Sequence, residues 1–306
     1  MDQYIFRALD FKDQIMETFK KGNNMGESCG IRELDGIFRI RPGYFYTFTG
    51  WPGSGKSEFV TQLLINQAAL KGRKACIYSP ESYPIANYVE TIAHNYLGKS
   101  VDKAYPNCCT EDELLKALTW INDNFVFLNW QDPPDIGLII QAFHHCKKME
   151  KSKVFLIDPF NSLTNEDETG NMALNLKDYL NKMVSFAHNE KVVTMVVEHP
   201  KTPRDSTEAI KPPGAHQLFG GTMWWNKSDC MVSIHSLKDE TGRYTGEVLI
   251  KTLKMKNQKL NGRPGEVMLN FDIKTNRYSG SQKNIEVMPG FVPVDYSKGK
   301  SEDLPF

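Results

Sequence analysis

What this chain of 306 residues lacks narrows its class first. It has no excess of either charge: Lys and Arg number 37 together, and so do Asp and Glu. Any contact with nucleic acid therefore has to come from a local basic surface, not from bulk charge. No run approaches the ~20 apolar residues that a membrane-spanning helix needs. The opening MDQYIFRALDFKDQIMETFKK mixes charge with apolar residues, where a secretion signal would hold an unbroken apolar stretch. The chain reads as soluble and cytoplasmic, with no membrane partner. Its six cysteines are Cys29, Cys76, Cys108, Cys109, Cys146 and Cys230, with no C-x-x-C among them. That spacing argues against a zinc site or a disulfide framework and for reduced thiols in a cytosolic compartment. No internal repeat is visible.

What is present is an alternation. Apolar β-rich runs at 44–49, 74–79, 125–128, 153–158 and 191–198 are separated by helical patterns at 58–71, 84–97, 111–123, 136–150 and 172–190. Strands alternating with helices predict a parallel sheet covered on both faces. After residue 200 the rhythm changes. A loop rich in Pro, Gly and charge spans 200–222, and β-like runs follow at 229–236, 246–254 and 266–273. The turn signals Glu240-Thr241-Gly242 and Asn261-Gly262 lie between them, which predicts antiparallel strands extending the sheet. The expected organisation is an amphipathic segment and link over 1–27, an α/β domain over 28–280, and a polar tail over 281–306.

The strongest local signal is Gly50-Trp51-Pro52-Gly53-Ser54-Gly55-Lys56-Ser57, a full G-x-x-x-x-G-K-[ST] between a strand and a helix. Glycines let backbone N–H groups turn inward onto phosphate oxygens. The next helix adds the positive end of its dipole. Lys56 is placed to reach β- and γ-phosphates, and the Ser57 hydroxyl to hold Mg²⁺. This is a P-loop for ATP or another nucleoside triphosphate.

A phosphate cradle needs carboxylates from neighbouring strands. Asp158 ends KVFLID, where an aspartate orients Mg²⁺, usually through water. Pro159 follows, so no adjacent second carboxylate can activate water. Glu81, just beyond KACIYS in Ser79-Pro80-Glu81, is the candidate base, because ligand groups gather at the carboxyl ends of strands in doubly wound sheets. Glu198, ending KVVTMVVE, competes for that role. His199 follows it as a candidate sensor of the γ-phosphate.

With these motifs in view the chain resembles the DnaB-like hexameric replicative helicases, above all the phage primase-helicase and Twinkle-type branch without the primase part. The resemblance rests on GWPGSGKSEF (50–59), YSPESYP (78–84) with NYVETIA (87–93), VFLIDPFNSL (154–163), EHPK (198–201) and LKMKN (253–257) ahead of NGRPGEV. It covers roughly residues 28–280. It implies a RecA-like P-loop NTPase fold, with a mostly parallel sheet and an antiparallel C-terminal extension. It also implies Glu81 as catalytic base and His199 as γ-phosphate sensor. Lys254 and Lys256 align with a Lys-x-Arg element whose arginine reaches a neighbour's ATP site. Here the second basic residue is a lysine, which lacks the bidentate fork. Lys254, Lys256 and Arg263 all remain candidates for that role.

The resemblance further implies a ring, expected to be a hexamer, pulling single-stranded DNA through its channel by nucleotide hydrolysis with Mg²⁺. The N-terminal helix would dock on the next subunit, with packing on its own domain as the alternative. The 200–222 loop would face the channel with Lys201, Arg204 and Lys211, followed by Trp224, Trp225 and Lys227. The acidic tail ending SEDLPF is similar to tips that dock replisome partners. The lack of an N-terminal domain suits a phage or mobile element, acting in the host cytoplasm. Two other readings stay open: a RecA-like recombinase forming filaments, and a KaiC-like ATP-gated switch binding proteins.

Overall fold

The computed structural model describes residues 5–163, 172–203 and 211–280. Arg204 and the tail 281–306 lie outside the described residues. None of the described helices is long and apolar enough to cross a membrane.

Among the described residues nine strands form one sheet. In chain order they are β1 (Phe45–Thr49), β2 (Ala75–Tyr78), β3 (Phe125–Leu128), β4 (Val154–Ile157), β5 (Val193–Val197), β6 (Cys230–Lys238), β7 (Tyr244–Met255), β8 (Gly265–Asp272) and β9 (Arg277–Ser279). Their spatial order is β3-β2-β4-β5-β1-β6-β7-β8-β9. The first six run parallel, and the last three add on antiparallel. Both halves of the sheet follow the sequence pattern. The short β9 was not foreseen; three residues carry too little periodicity to stand out.

The helices are α1 (Lys12–Lys21), α2 (Lys56–Lys71), α3 (Ile85–Leu97), α4 (Glu111–Asn124), α5 (Ile136–Met149), α6 (Met172–Glu190), α7 (Gly221–Lys227) and α8 (Gln258–Asn261). Alternate residues of the buried strands feed two separate cores, as a period of two demands. Val154, Leu156, Val193, Met195 and Val197 join the core beneath α2, α3 and α4. Phe155, Ile157 and Val196 join the one beneath α5 and α6, with Val192 just ahead of β5. α7 begins inside the stretch expected to be loop. Its buried Trp224 packs edge-on against Phe160 at 5.1 Å, which makes this tryptophan core.

The central helix α2 is enclosed nearly all round, so its sequence shows little amphipathic pattern. Its buried polar groups are used. Gln62 Nε2 donates to Tyr278 O at 2.9 Å and Gln62 Oε1 accepts from Tyr278 N at 2.6 Å. Asn66 Nδ2 donates to Cys29 O at 3.0 Å. These bonds clamp β9 and the 29–31 segment onto the helix that begins at Lys56.

The N-terminal segment behaves differently. Phe19 is 82% exposed, Leu9 is 80% exposed, and Ile5, Phe6 and Ile15 also face outward. α1 buries none of its residues, so it does not pack on its own domain. The packed body starts at Gly26, whose N–H donates to Leu260 O at 2.8 Å.

Candidate active site

Four parallel strands each deliver a chemistry-bearing residue at one edge of the sheet. β1 runs into residues 50–57, β2 into Glu81, β4 into Asp158 and β5 into His199. The ladder aligns these ends: Glu198 N donates to Phe48 O at 2.9 Å, and Asp158 N to Tyr78 O at 2.9 Å.

The 50–57 loop turns through Gly53 and Gly55 at φ of 72° and 80°, a region where a Cβ is strained. Packing adds a second constraint. A Cβ on Gly55 would lie 2.2 Å from Tyr278 Oη, and one on Gly50 would lie 2.3 Å from Ile234 O. The loop is held from two sides: Tyr278 Oη donates to Gly55 O at 2.8 Å, and Ser236 Oγ donates to Ser54 O at 3.0 Å. α2 starts at Lys56, so its first-turn N–H groups open into this concavity, an anion site by construction. Ser54 Oγ is buried there and unpartnered.

Lys56 is 5% exposed, and its ammonium donates to Trp51 O at 3.2 Å. One carbonyl uses little of a three-donor group. Burial lowers its pKa, opposed by the charges of Asp158, Glu81 and Glu58. Asp158 is also buried. Desolvation pushes its carboxyl up to about 6, opposed by the Ser57 hydroxyl hydrogen-bonded to it and by Lys56, while Glu81 adds to the rise. A triphosphate and a divalent cation fit this set: a buried lysine, an orphaned hydroxyl and helix N–H groups for the anion, Ser57 and Asp158 for the cation. Among the described residues no three His, Cys, Asp or Glu cluster as a self-sufficient metal site. A cation here would take its remaining ligands from phosphate oxygens and water, as Mg²⁺ does.

Glu81 sits in a short 3₁₀ turn, Pro80–Ser82, straight after β2. Its Oε2 lies 3.5 Å from His199 Nε2. Burial and the Lys56 charge lower the His199 pKa, with Glu81 opposing them. Neighbouring positions on β5 explain why Glu198 differs. Val197 faces the α2 side, so Glu198 faces the other and His199 returns to the side of Lys56 and Glu81. Glu198 is 6% exposed and lines a cavity of about 220 Å³ with Phe160, Tyr179, Phe219 and Trp224. Desolvation pushes its carboxyl up to about 8. The cavity that Glu198 lines does not include Lys56.

Lys254 and Lys256 lie at the opposite end of the strands. Met255 pairs with Cys230, and Cys230 pairs with Tyr46 near the start of β1. They cannot reach the P-loop of their own chain. Lys256 Nζ donates to the buried Asp229 at 2.8 Å, which also accepts from Phe45 N at 3.0 Å and contacts His188 Nε2 at 2.8 Å. Lys254 donates to the Trp225 carbonyl and lies 5.9 Å from the centre of that half-exposed ring. Arg263 is exposed. Sequence reasoning missed Asp229 and Tyr278, whose partners lie 184 and 223 residues away; no local pattern marks either.

No family model matches the chain. It is similar to the Twinkle homolog protein, chloroplastic/mitochondrial, of Arabidopsis thaliana, with 25% identity over 290 residues. That alignment covers 90% of this chain and 40% of the relative, so the chain spans well under half of that protein. Among solved structures, it superposes on an ATPase domain with a TM-score of 0.72 at 15% identity, covering 88% of this chain and 98% of that one. It superposes on a DnaB-like replicative helicase, solved to show its interactions with primase, with a TM-score of 0.69 at 15% identity, covering 90% and 67%. With its mostly parallel sheet, its antiparallel C-terminal strands and its glycine-rich loop after β1, the chain has the RecA-like α/β fold of these two ATPase-domain structures.

Proposed function

We propose that the chain is the nucleotide-hydrolysing motor of a replicative DNA helicase, working as a ring, a hexamer in the simplest case, on single-stranded DNA. The observation that carries this is the meeting of Lys56, Ser57, Asp158, Glu81 and His199 at one sheet edge, on a fold shared with helicase ATPase domains.

The roles follow from position. The N–H groups of 50–57 and the Lys56 ammonium hold triphosphate oxygens. Ser57 and Asp158 hold Mg²⁺, which when bound neutralises charge on the phosphates. Glu81 stands beside the lysine, exposed enough to reach a water, and takes its proton during attack. His199 contacts Glu81 and begins the 200–218 segment, so it senses the phosphate and passes the state on. Lys254 and Lys256, out of reach of their own P-loop, supply positive charge to the site of a neighbouring subunit. The exposed apolar face of α1 is covered by that neighbour. Lys201, Lys211 and Lys227 supply phosphate contacts in the channel.

A forked-duplex unwinding assay with nucleotide and Mg²⁺, run beside negative-stain imaging, tests this reading. Closed rings and unwinding are expected. Open filaments with strand exchange would move the chain to the recombinases. Nucleotide hydrolysis indifferent to DNA would move it to the protein-binding switches. A phage source and a host-cytoplasmic setting remain part of the proposal, carried by the sequence resemblance.

A further inference from the structure

Residues 200–218 leave the sheet just after His199 and return beside their starting point. Pro200 and Leu218 form an antiparallel bridge, and Lys201 N donates to Gln217 O at 2.8 Å. The returning leg is ordered: residues 215–217 form a short turn, and Gly214 N donates to Gln217 Oε1 at 2.9 Å. One side chain of the P-loop reaches that leg. The Trp51 indole Nε1–H donates to the backbone carbonyl of Lys211 at 2.8 Å, with the ring 7% exposed. At its other end, the Trp51 carbonyl accepts from the Lys56 ammonium at 3.2 Å.

Trp51 thus touches the phosphate lysine with its main chain and the returning leg with its side chain. A bound triphosphate would draw on the same Lys56 ammonium that now donates to Trp51 O, and a shift of that ammonium would be felt at residue 51. The outgoing leg is already tied to the site by His199 at its root. We propose that Trp51 is a positioning residue that forms a second tie, so that nucleotide occupancy of residues 50–57 sets the placement of the leg at 211–218. This rests on the nucleotide-site reading above but requires no assumption about DNA. The Trp51 indole N–H meets its acceptor 160 residues away in the chain, and that bond is what the test isolates.

The test is hydrogen exchange of the full chain, with and without a non-hydrolysable ATP analogue and Mg²⁺, the analogue saturating for each protein. In the unsubstituted chain the analogue should protect residues 50–57 and change exchange at 214–218 several-fold. Trp51→Phe keeps an aromatic ring and removes the donor. It should lose the change at 214–218 while residues 198–201, tied through His199, still respond. Trp51→Leu serves the same comparison if the phenyl variant does not fold. Lys211→Ala keeps the carbonyl and should respond fully. An unchanged response at 214–218 in Trp51→Phe overturns the inference, as does an equal loss in Lys211→Ala. So does a silent 214–218 in the unsubstituted chain when 50–57 is protected. Absence of protection at 50–57 instead overturns the nucleotide site itself.

Discussion

Lys56 carries its charge in a largely desolvated place, where charge–charge interactions are strong and substitutes are poor. Lys56→Ala should therefore reduce hydrolysis to background, measured as phosphate release; turnover near that of the unsubstituted chain would remove the nucleotide site from consideration. Glu81→Gln keeps shape and polarity but cannot accept the proton. It should bind nucleotide and slow hydrolysis by about 10²–10⁴-fold, the usual range for a general base. Glu198 gives a prediction about stability. Its carboxyl titrates near its ordinary value in the unfolded chain and at about 8 when folded. The folded state therefore holds the extra proton between those values. The stability it contributes is full below the unfolded pKa and is lost as pH rises through about 8. Glu198→Gln should flatten that decline, read as the difference in denaturation midpoint between about pH 5 and about pH 8.5. An equal decline in both proteins would mean that Glu198 is ionised in its cavity.

Among the elements, α4 has a reciprocal cap. Thr110 Oγ1 accepts from Glu113 N at 3.2 Å, and Thr110 N donates to Glu113 Oε2 at 2.9 Å. Lys99 adds an ion pair to the same glutamate at 2.5 Å. Thr110→Ala should cost about 1 kcal/mol in chemical denaturation. α1 makes a different case. Its apolar residues were legible, but no local rule says whether such a face is covered by its own domain or by another chain. The fold leaves it bare. Leu9→Glu with Phe19→Glu should leave monomer stability within about 0.5 kcal/mol, as for ordinary surface changes, yet abolish ring assembly in negative-stain images. Rings that persist would mean α1 is not the joint. β9 shows the limit of pattern reading. Its Tyr278 stands against Gly55 because of tertiary pairing, and its own three residues give no hint of that.

For the whole molecule, the site is assembled from strands 1, 2, 4 and 5 of a sheet whose spatial order differs from chain order. A ligand bridging these strand ends binds only the folded state. At about 100 times its Kd it should stabilise the chain by about 2.7 kcal/mol, read as a rise in Tm with nucleotide and Mg²⁺. Lys56→Ala should abolish that rise. The two lysines proposed to act in trans lie at the opposite end of the strands from residues 50–57, so in the proposed ring they would serve the site of a second subunit. That geometry agrees with the ring proposed above.

The sequence by itself determined the strand–helix alternation, the phosphate loop at 50–57 and the strand-end positions of Glu81, Asp158 and His199. Each is written in local spacing: a period of two in strands, a glycine pattern before a helix, an acid after an apolar run. Only the tertiary structure decided which faces those residues take and what they meet. It turned Glu198 into the cavity beside Trp224 and His199 toward Glu81. It joined Trp51 to Lys211 and Lys256 to Asp229, and left α1 uncovered. Such outcomes depend on strand order and on partners distant in the chain, and side-chain spacing along a single element holds no information about either.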